Sequence, residues 1–344
     1  MEGDVGTERP GGGAVGAGFG TPRVVLSKCL ELEACRYNAR TIRSSVMRLI
    51  EPHVEFIPTC PEVEIGLGVP RDPIRLVAGA GGPGDDPASP GLRLVQPSTS
   101  RDLTDRMMAF SHGFADATDD VDGLLLKSRS PSCGIKDVKV YGGAEDAPVV
   151  RKDAGMFAGV MMDRYPEAAI EDEGRLTNAG IRHHWLTRIF ASARLRAALA
   201  DGPTGLVDFH TRYKLVLMAH SPAGQRELGR LVAEAGGAFD DVVPAYRAGF
   251  AEAMAEPASR GAHVNVIQHA QGYFKRELAG PEKRQFEDLQ AQYREGQLPL
   301  PALLAVVGSW VERFDAPYLR EQVYFRPYPR ALVTAADSGR GRLV

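Results

Sequence analysis

The sequence is poor in cysteine: four in 344 residues, at positions 29, 35, 60 and 133, and none thereafter. Four thiols cannot staple a chain of this length, so a disulfide scaffold is excluded and a reducing compartment, the cytoplasm, is expected. Long apolar runs are also missing. Nothing approaches the roughly 20 residues of a membrane span, and the N-terminus lacks the apolar core of a signal sequence, so no membrane partner is expected. Neither sign of charge is in excess. Lys and Arg number 41 against 44 Asp and Glu, a net charge of −3. A generally basic nucleic-acid binder is thereby excluded; no DNA partner is expected, and any RNA contact must come from a local patch. What remains, 44% hydrophobic and 25% charged residues, is ordinary for globular chains and excludes coiled-coil, fibrous and largely disordered classes. The length suits two cores.

Residues 1–22 are Gly-rich with almost no large apolar side chain, which predicts a disordered tail. From Arg23 the pattern changes. Val24-Val25-Leu26 reads as a strand, Ile42, Val46, Leu49 and Ile50 fall at helical spacing, and Val54–Ile57 reads as a second strand. Strand, helix and strand with short links predict a parallel sheet. Residues 78–100 read as a Gly/Pro loop around Leu92–Val95, a surface insertion or small hairpin. A helix from Ser100 or Thr104 to about Thr118, a strand at Gly123–Lys127, a helix at Met156–Tyr165 and a strand at Ala168–Ile170 complete an α/β domain, which with the helix Ile181–Leu199 spans residues 23–200. Asp201-Gly202-Pro203 punctuates the chain. Beyond it, helical patterns at 207–220, 224–236, 239–255, 260–279, 281–295 and 300–313 predict a mostly α-helical domain over 205–335.

Cys29, Cys60 and Cys133 each follow a predicted strand. In an open parallel sheet the carboxyl ends of the strands share one edge, so cysteines far apart in sequence can meet there. Three thiolates from three loops point to an iron–sulfur cluster with one iron open, or to zinc with an open fourth position. Ordinary buried core cysteines are the other reading of the same residues.

The motifs Ser27-Lys28-Cys29-Leu30, Arg36-Tyr37-Asn38, Cys60-Pro61-Glu62-Val63 with Pro70-Arg71, and Lys127 with Ser130-Pro131-Ser132-Cys133-Gly134 resemble the thiouracil desulfidase family over residues 23–175. The resemblance implies a [4Fe-4S] cluster held by Cys29, Cys60 and Cys133, with one iron free to take sulfur from a thiolated base. Cys35 stands where many members have valine, which implies a non-ligand. Phe209–Lys214, Ala219–Ser221, Asn265–His269 with Gly272–Lys275, and Tyr324–Pro329 resemble a helical domain fused to that module in tRNA 4-thiouridine desulfidases. The implied reaction is removal of sulfur from 4-thiouridine in tRNA, without redox chemistry. A desulfidase of free thiouracil or thionucleosides, and a non-enzymatic iron–sulfur sensor, are the alternatives.

Replacing C=S by C=O needs a soft acceptor for sulfur and proton management at the ring. Glu62, two residues past Cys60, is the expected acid/base, with Ser130 as its hydroxyl partner and Ser132 the competing choice. A helix-first-turn carboxylate and turn-capping serines are the bland readings of the same positions. For RNA contacts the candidates are Arg212, Lys214, Lys275, Arg276, Lys283 and Arg284, interleaved with Tyr213, Tyr273 and Phe274. Residues 205–344 hold 17 basic and 16 acidic residues, so this is a patch and not a basic domain.

Overall fold

The computed structural model describes residues 18–79 and 91–333. The chain runs β1 (Arg23–Ser27), α1 (Ser45–Ile50), β2 (Glu55–Thr59), α2 (Pro61–Glu64), β3 (Arg75–Ala78), β4 (Leu92–Gln96), β5 (Arg101–Asp102) and α3 (Thr104–Asp116). It continues through β6 (Gly123–Leu126), β7 (Val138–Tyr141), β8 (Val149–Asp153), α4 (Met156–Arg164), β9 (Ala169–Asp172) and α5 (Ala179–Ala200). Six helices follow: α6 (Gly202–His220), α7 (Pro222–Ala253), α8 (Arg260–Gly272), α9 (Gly280–Arg294), α10 (Leu300–Arg313) and α11 (Pro317–Glu321).

The central sheet is parallel, in the order β2-β1-β6-β9. Successive side chains on a strand point to opposite faces. Val24, Leu26 and Leu125 join one core with α1 and α5, through Met47, Ile50, Trp185, Ile189 and Phe190. Val25, Leu124 and Leu126 join the other with α3 and α4, through Met107, Phe157 and Met161. Strands buried on both faces read as continuous apolar runs, which is why β1 and β6 stand out in the sequence. Helix α5 sits close because β6 begins on Gly123: a Cβ there would come within 2.7 Å of Ile189 and 2.9 Å of the Ala169 carbonyl.

The stretch expected as an insertion or small hairpin does pair antiparallel, β4 with β3 and with β5, and these strands belong to a second, mixed sheet, β5-β4-β3-β7-β8. Only β3–β7 is parallel in it. Its strands β5 and β8 are exposed along almost their whole length and so carry little apolar signal. Residues 80–90 of that stretch, like residues 1–17 of the expected tail, lie outside the described residues. The described end of the tail is tied down: Phe19 packs edge-on against Phe190, Arg194 lies 4.9 Å from its ring centroid, and the Pro22 carbonyl accepts from Glu55 N–H.

The second half is helical, as expected. Its core joins Phe209, Tyr213, Tyr246, Phe250, Phe274, Phe286 and Trp310. The break expected between 236 and 239 is a kink within α7, where Ala238 leaves helical geometry. Expected helix 260–279 ends early, at Gly272. No described helix is long and apolar enough to cross a membrane.

The two halves are knit together. Ala191 and Leu195 of α5 belong to the helical core while Ile189 and Phe190 belong to the sheet core. The C-terminal segment then runs back over the first domain. Arg194 donates to the Pro327 carbonyl at 2.7 Å, His183 Nδ1 pairs with the Tyr328 hydroxyl at 2.7 Å, and Leu332 is fully buried beside Met47 and Ile50.

Candidate active site

Chain order places β2 on one side of β1 and β6 on the other, so the direction of winding reverses between β1 and β6. Such a reversal leaves a crevice beyond the carboxyl ends of the strands. Cys29 lies two residues past β1, Cys60 directly follows β2, and Cys133 lies in the loop after β6. All four cysteines are free and buried, between 1% and 9% exposed.

The loop after Cys29 closes on itself. Leu30 and Ile42 form a parallel bridge, and Ile42 N–H donates to the Cys29 carbonyl at 2.8 Å. Cys35 is thereby folded back among the other thiols. Its hydrogen bond with Cys29, together with burial, pushes the Cys35 thiol up to about 11, against the opposing pull of Cys60. Cys60 is raised by Cys35 and by burial, and Cys133 by burial and by the neighbouring Glu62 and Cys60. The structure thus brings together the three expected cysteines and also the fourth.

Among the described residues, no three His, Cys, Asp or Glu side chains gather in a way that would hold a single metal ion. The donor set nevertheless suits a larger thiophilic group. It is all sulfur, it comes from separate loops, and the buried thiols of Cys60 and Cys133 resist losing protons unless a positive centre takes their charge.

Glu62, on α2, faces the same crevice. Ser130 Oγ and Ser132 Oγ both donate to Glu62 Oε1, at 3.3 and 3.2 Å. The Ser130 oxygen also accepts from the Ser132 and Cys133 amides at 3.2 and 3.1 Å, the turn-capping contact of the bland reading. Ser132 is fully buried. On the far side of the carboxylate lies Arg71, whose side chain is 5% exposed. It donates from Nε and Nη2 to Glu62 Oε2, at 2.9 and 2.5 Å, and from Nη1 to the Cys35 carbonyl at 2.9 Å. Its amide donates to the Tyr37 carbonyl. One guanidinium therefore ties Glu62 to the Cys35 loop, a role that position in sequence did not reveal, although Arg71 lies within the recognised motif.

A second unforeseen residue is Glu173. It closes the acidic run Glu171-Asp172-Glu173 at the end of β9. Glu173 accepts from Lys127 Nζ at 2.6 Å and from the Ser128 amide and hydroxyl, both at 2.8 Å. This fastens the start of the loop that carries Ser130 and Cys133. The other end is held by close approach: a Cβ on Gly155 would lie 2.5 Å from the Ser132 carbonyl oxygen. Burial opposes ionisation of Glu173, yet Lys127 and the Ser128 amide hold it below the usual glutamate range. A depressed carboxyl contributes stability above the unfolded-state pKa, about 4.3, and loses it as acid protonates the folded form. Glu173→Gln is accordingly expected to cost about 2–3 kcal/mol in urea unfolding at pH 7. The deficit should shrink toward pH 3, and an equal deficit at both pH values would disprove the role.

The basic candidates of the helical half are more dispersed. Arg212 and Lys214 are exposed on α6, and Arg212 is paired with Asp208 at 3.0 Å. Lys275 and Arg276 follow α8, and Lys283 of α9 donates to the Lys275 carbonyl. Arg284 is exposed on the same helix. The histidines act as structural partners: His210 meets Tyr246 and His263 meets Tyr324, at 3.1 and 2.9 Å.

Comparison with known proteins divides the chain similarly. Residues 24–173 match the family described as 2-thiouracil desulfurase, and residues 214–329 match a family described as a protein of unknown function, DUF1722. The uncharacterized protein YbgA of Escherichia coli (strain K12) is 36% identical over 151 residues, 43% of this chain and 89% of that protein. The uncharacterized protein YbbK of Bacillus subtilis (strain 168) is 30% identical over 114 residues, 32% of this chain and 72% of that protein. Among solved structures, the [4Fe-4S]-dependent thiouracil desulfidase TudS is 22% identical, covering 46% of this chain and 94% of its own, with a TM-score of 0.33. The chain belongs to the 2-thiouracil desulfurase family through its α/β half and carries a DUF1722 domain in its helical half.

Proposed function

We propose that the protein is an iron–sulfur-dependent desulfidase that exchanges the sulfur of a thiolated uracil ring for oxygen, acting on 4-thiouridine in tRNA. The observation that carries this reading is the meeting of Cys29, Cys60 and Cys133 with Glu62 and Ser130 at one edge of the sheet. Cys29, Cys60 and Cys133 would hold a [4Fe-4S] cluster, which supplies a thiophilic Lewis acid for the thiocarbonyl sulfur.

The remaining work falls to the chain. Water adds to the ring carbon, C=S becomes C=O, and hydrogen sulfide leaves; no electrons are gained or lost. Glu62 takes the proton from that water, and the Ser130 hydroxyl steadies the carboxylate oxygen it faces. Arg71, almost fully buried, fixes the other oxygen so that the reactive one points into the crevice. Cys35 contributes its carbonyl to Arg71 and stays outside the ligand set. Free thiols throughout suit a reducing cytoplasm.

The family description favours a second reading, free 2-thiouracil as substrate. Anaerobic reconstitution with iron and sulfide, followed by assay on 4-thiouridine-containing tRNA and on free 2-thiouracil, separates the two. Release of sulfide from the tRNA with formation of uridine is the expected result. Turnover of the free base alone would leave only the second reading, and inactivity on both would end the desulfidase assignment.

A further inference from the structure

The loop that closes over the cysteines is unusually basic for this chain. Residues 28–48 contain five Lys or Arg and two Glu, in a protein whose net charge is −3. Two of the five are committed elsewhere: Lys28 pairs with Glu64, and Arg48 with Glu31. Arg36, Arg40 and Arg43 form no ion pair among the described residues; Arg40 and Arg43 are exposed and Arg36 half-exposed.

Their position is fixed by the site. Arg36 follows buried Cys35, and Arg43 follows Ile42, whose amide is bonded to the Cys29 carbonyl. Arg36 and Arg43 therefore stand beside the cysteine crevice, with Arg40 between them on the same loop. Between them Tyr37 is 45% exposed, with the Arg36 guanidinium 5.6 Å from its ring centroid. Leu32 on the same loop is 45% exposed, and Val69, on the loop joined to Tyr37 through Arg71, is 41% exposed. Unpaired arginines alternating with an exposed aromatic suit a strand of phosphates carrying stackable bases, and a free base would leave these charges unused. Of the basic candidates of the helical half, Arg212 already has its aspartate and Lys283 is turned onto a backbone carbonyl.

We infer that the 36–43 loop is a phosphate-binding rim that grips the RNA strand on either side of the thiolated base, so that recognition begins on the α/β half itself. This rests on the desulfidase reading and names the class of substrate at that same site: a thiolated base within a polynucleotide.

The test is binding of a short, fluorescently labelled single-stranded RNA carrying one 4-thiouridine to the full-length reconstituted protein, followed by anisotropy across a salt series. The double variant Arg40→Ala/Arg43→Ala is expected to bind about tenfold more weakly near 0.1 M salt. Its plot of log affinity against log salt should be shallower by about 1.4, two phosphate contacts at about 0.7 each. Arg40→Lys/Arg43→Lys should regain most of the slope. Arg230→Ala, on α7 and paired with Glu227, serves as a control for loss of a remote charge. Unchanged affinity and slope in the alanine variant, with an unchanged melting temperature, would overturn the inference. Wild-type protein that releases sulfide from free 2-thiouracil but does not bind the RNA would overturn it too, while leaving the desulfidase reading standing.

Discussion

Single replacement of Cys29, Cys60 or Cys133 by serine is expected to abolish the visible absorbance of the reconstituted protein and, with it, all sulfide release, whereas Cys35→Ser keeps both. The three positions follow adjacent parallel strands, so each thiol comes from a separately anchored loop. Cys35 is the only candidate replacement, since its thiol lies against Cys29 and Cys60. Its carbonyl, however, is held by Arg71 and lies 3.8 Å from the Cys60 sulfur. Moving that residue to take over a missing ligand would pull its carbonyl away from the Arg71 guanidinium that also holds Glu62. Serine at 35 leaves the backbone contacts intact. Iron and sulfide content, read beside the absorbance spectrum, decides the matter. Loss of iron in Cys35→Ser would make it a fourth ligand and remove the open coordination position on which the chemistry depends.

Glu62→Gln should leave iron content untouched and reduce turnover by about 10²-fold or more, since an amide fills the same space but does not accept the proton of the attacking water. The change also puts a neutral group against the nearly buried Arg71, whose charge then lacks its partner. Breaking such a pair costs about 3–5 kcal/mol, so the variant should melt at a lower temperature as well. Restoring charge balance with Glu62→Gln/Arg71→Met should recover part of the stability and none of the turnover. That split separates a chemical role from a purely structural one. Recovery of activity in the double variant, or full activity in Glu62→Gln with the cluster intact, would remove Glu62 from the mechanism.

Much of this site was legible in the sequence because its elements announce themselves locally. Runs such as Val24–Leu26 and Leu124–Leu126 are apolar on both faces, and Pro61 beside Cys60 and Gly134 beside Cys133 mark turns past the strands. Glu62 and Ser130 were legible through their short spacing from Cys60 and Cys133. Arg71 and Glu173 were not, because each acts through partners brought close by the fold: Glu173 reaches Lys127 across neighbouring strands, 46 positions away. The second sheet was hidden for a related reason. Its strands β5 and β8 are exposed almost throughout, and β3 finds β7 only after the intervening chain has folded. The arginines at 40 and 43 were visible as letters, yet only the Ile42–Cys29 hydrogen bond places them at the crevice.

The return of the C-terminal segment to the first domain has a consequence for how the protein is made. Tyr328 and Leu332 complete the core beside α1 and α5, yet they are among the last described residues to leave the ribosome. The α/β half must therefore wait through synthesis of every helix after α5 with part of its apolar surface uncovered, next to thiols that are not yet loaded. Vectorial synthesis thus sets an order: sheet first, helical half second, and closure of the first core last. The proposed cluster, inserted before that closure, would meet a more open crevice than the finished protein presents, so loading of the site and completion of the chain would become coupled events.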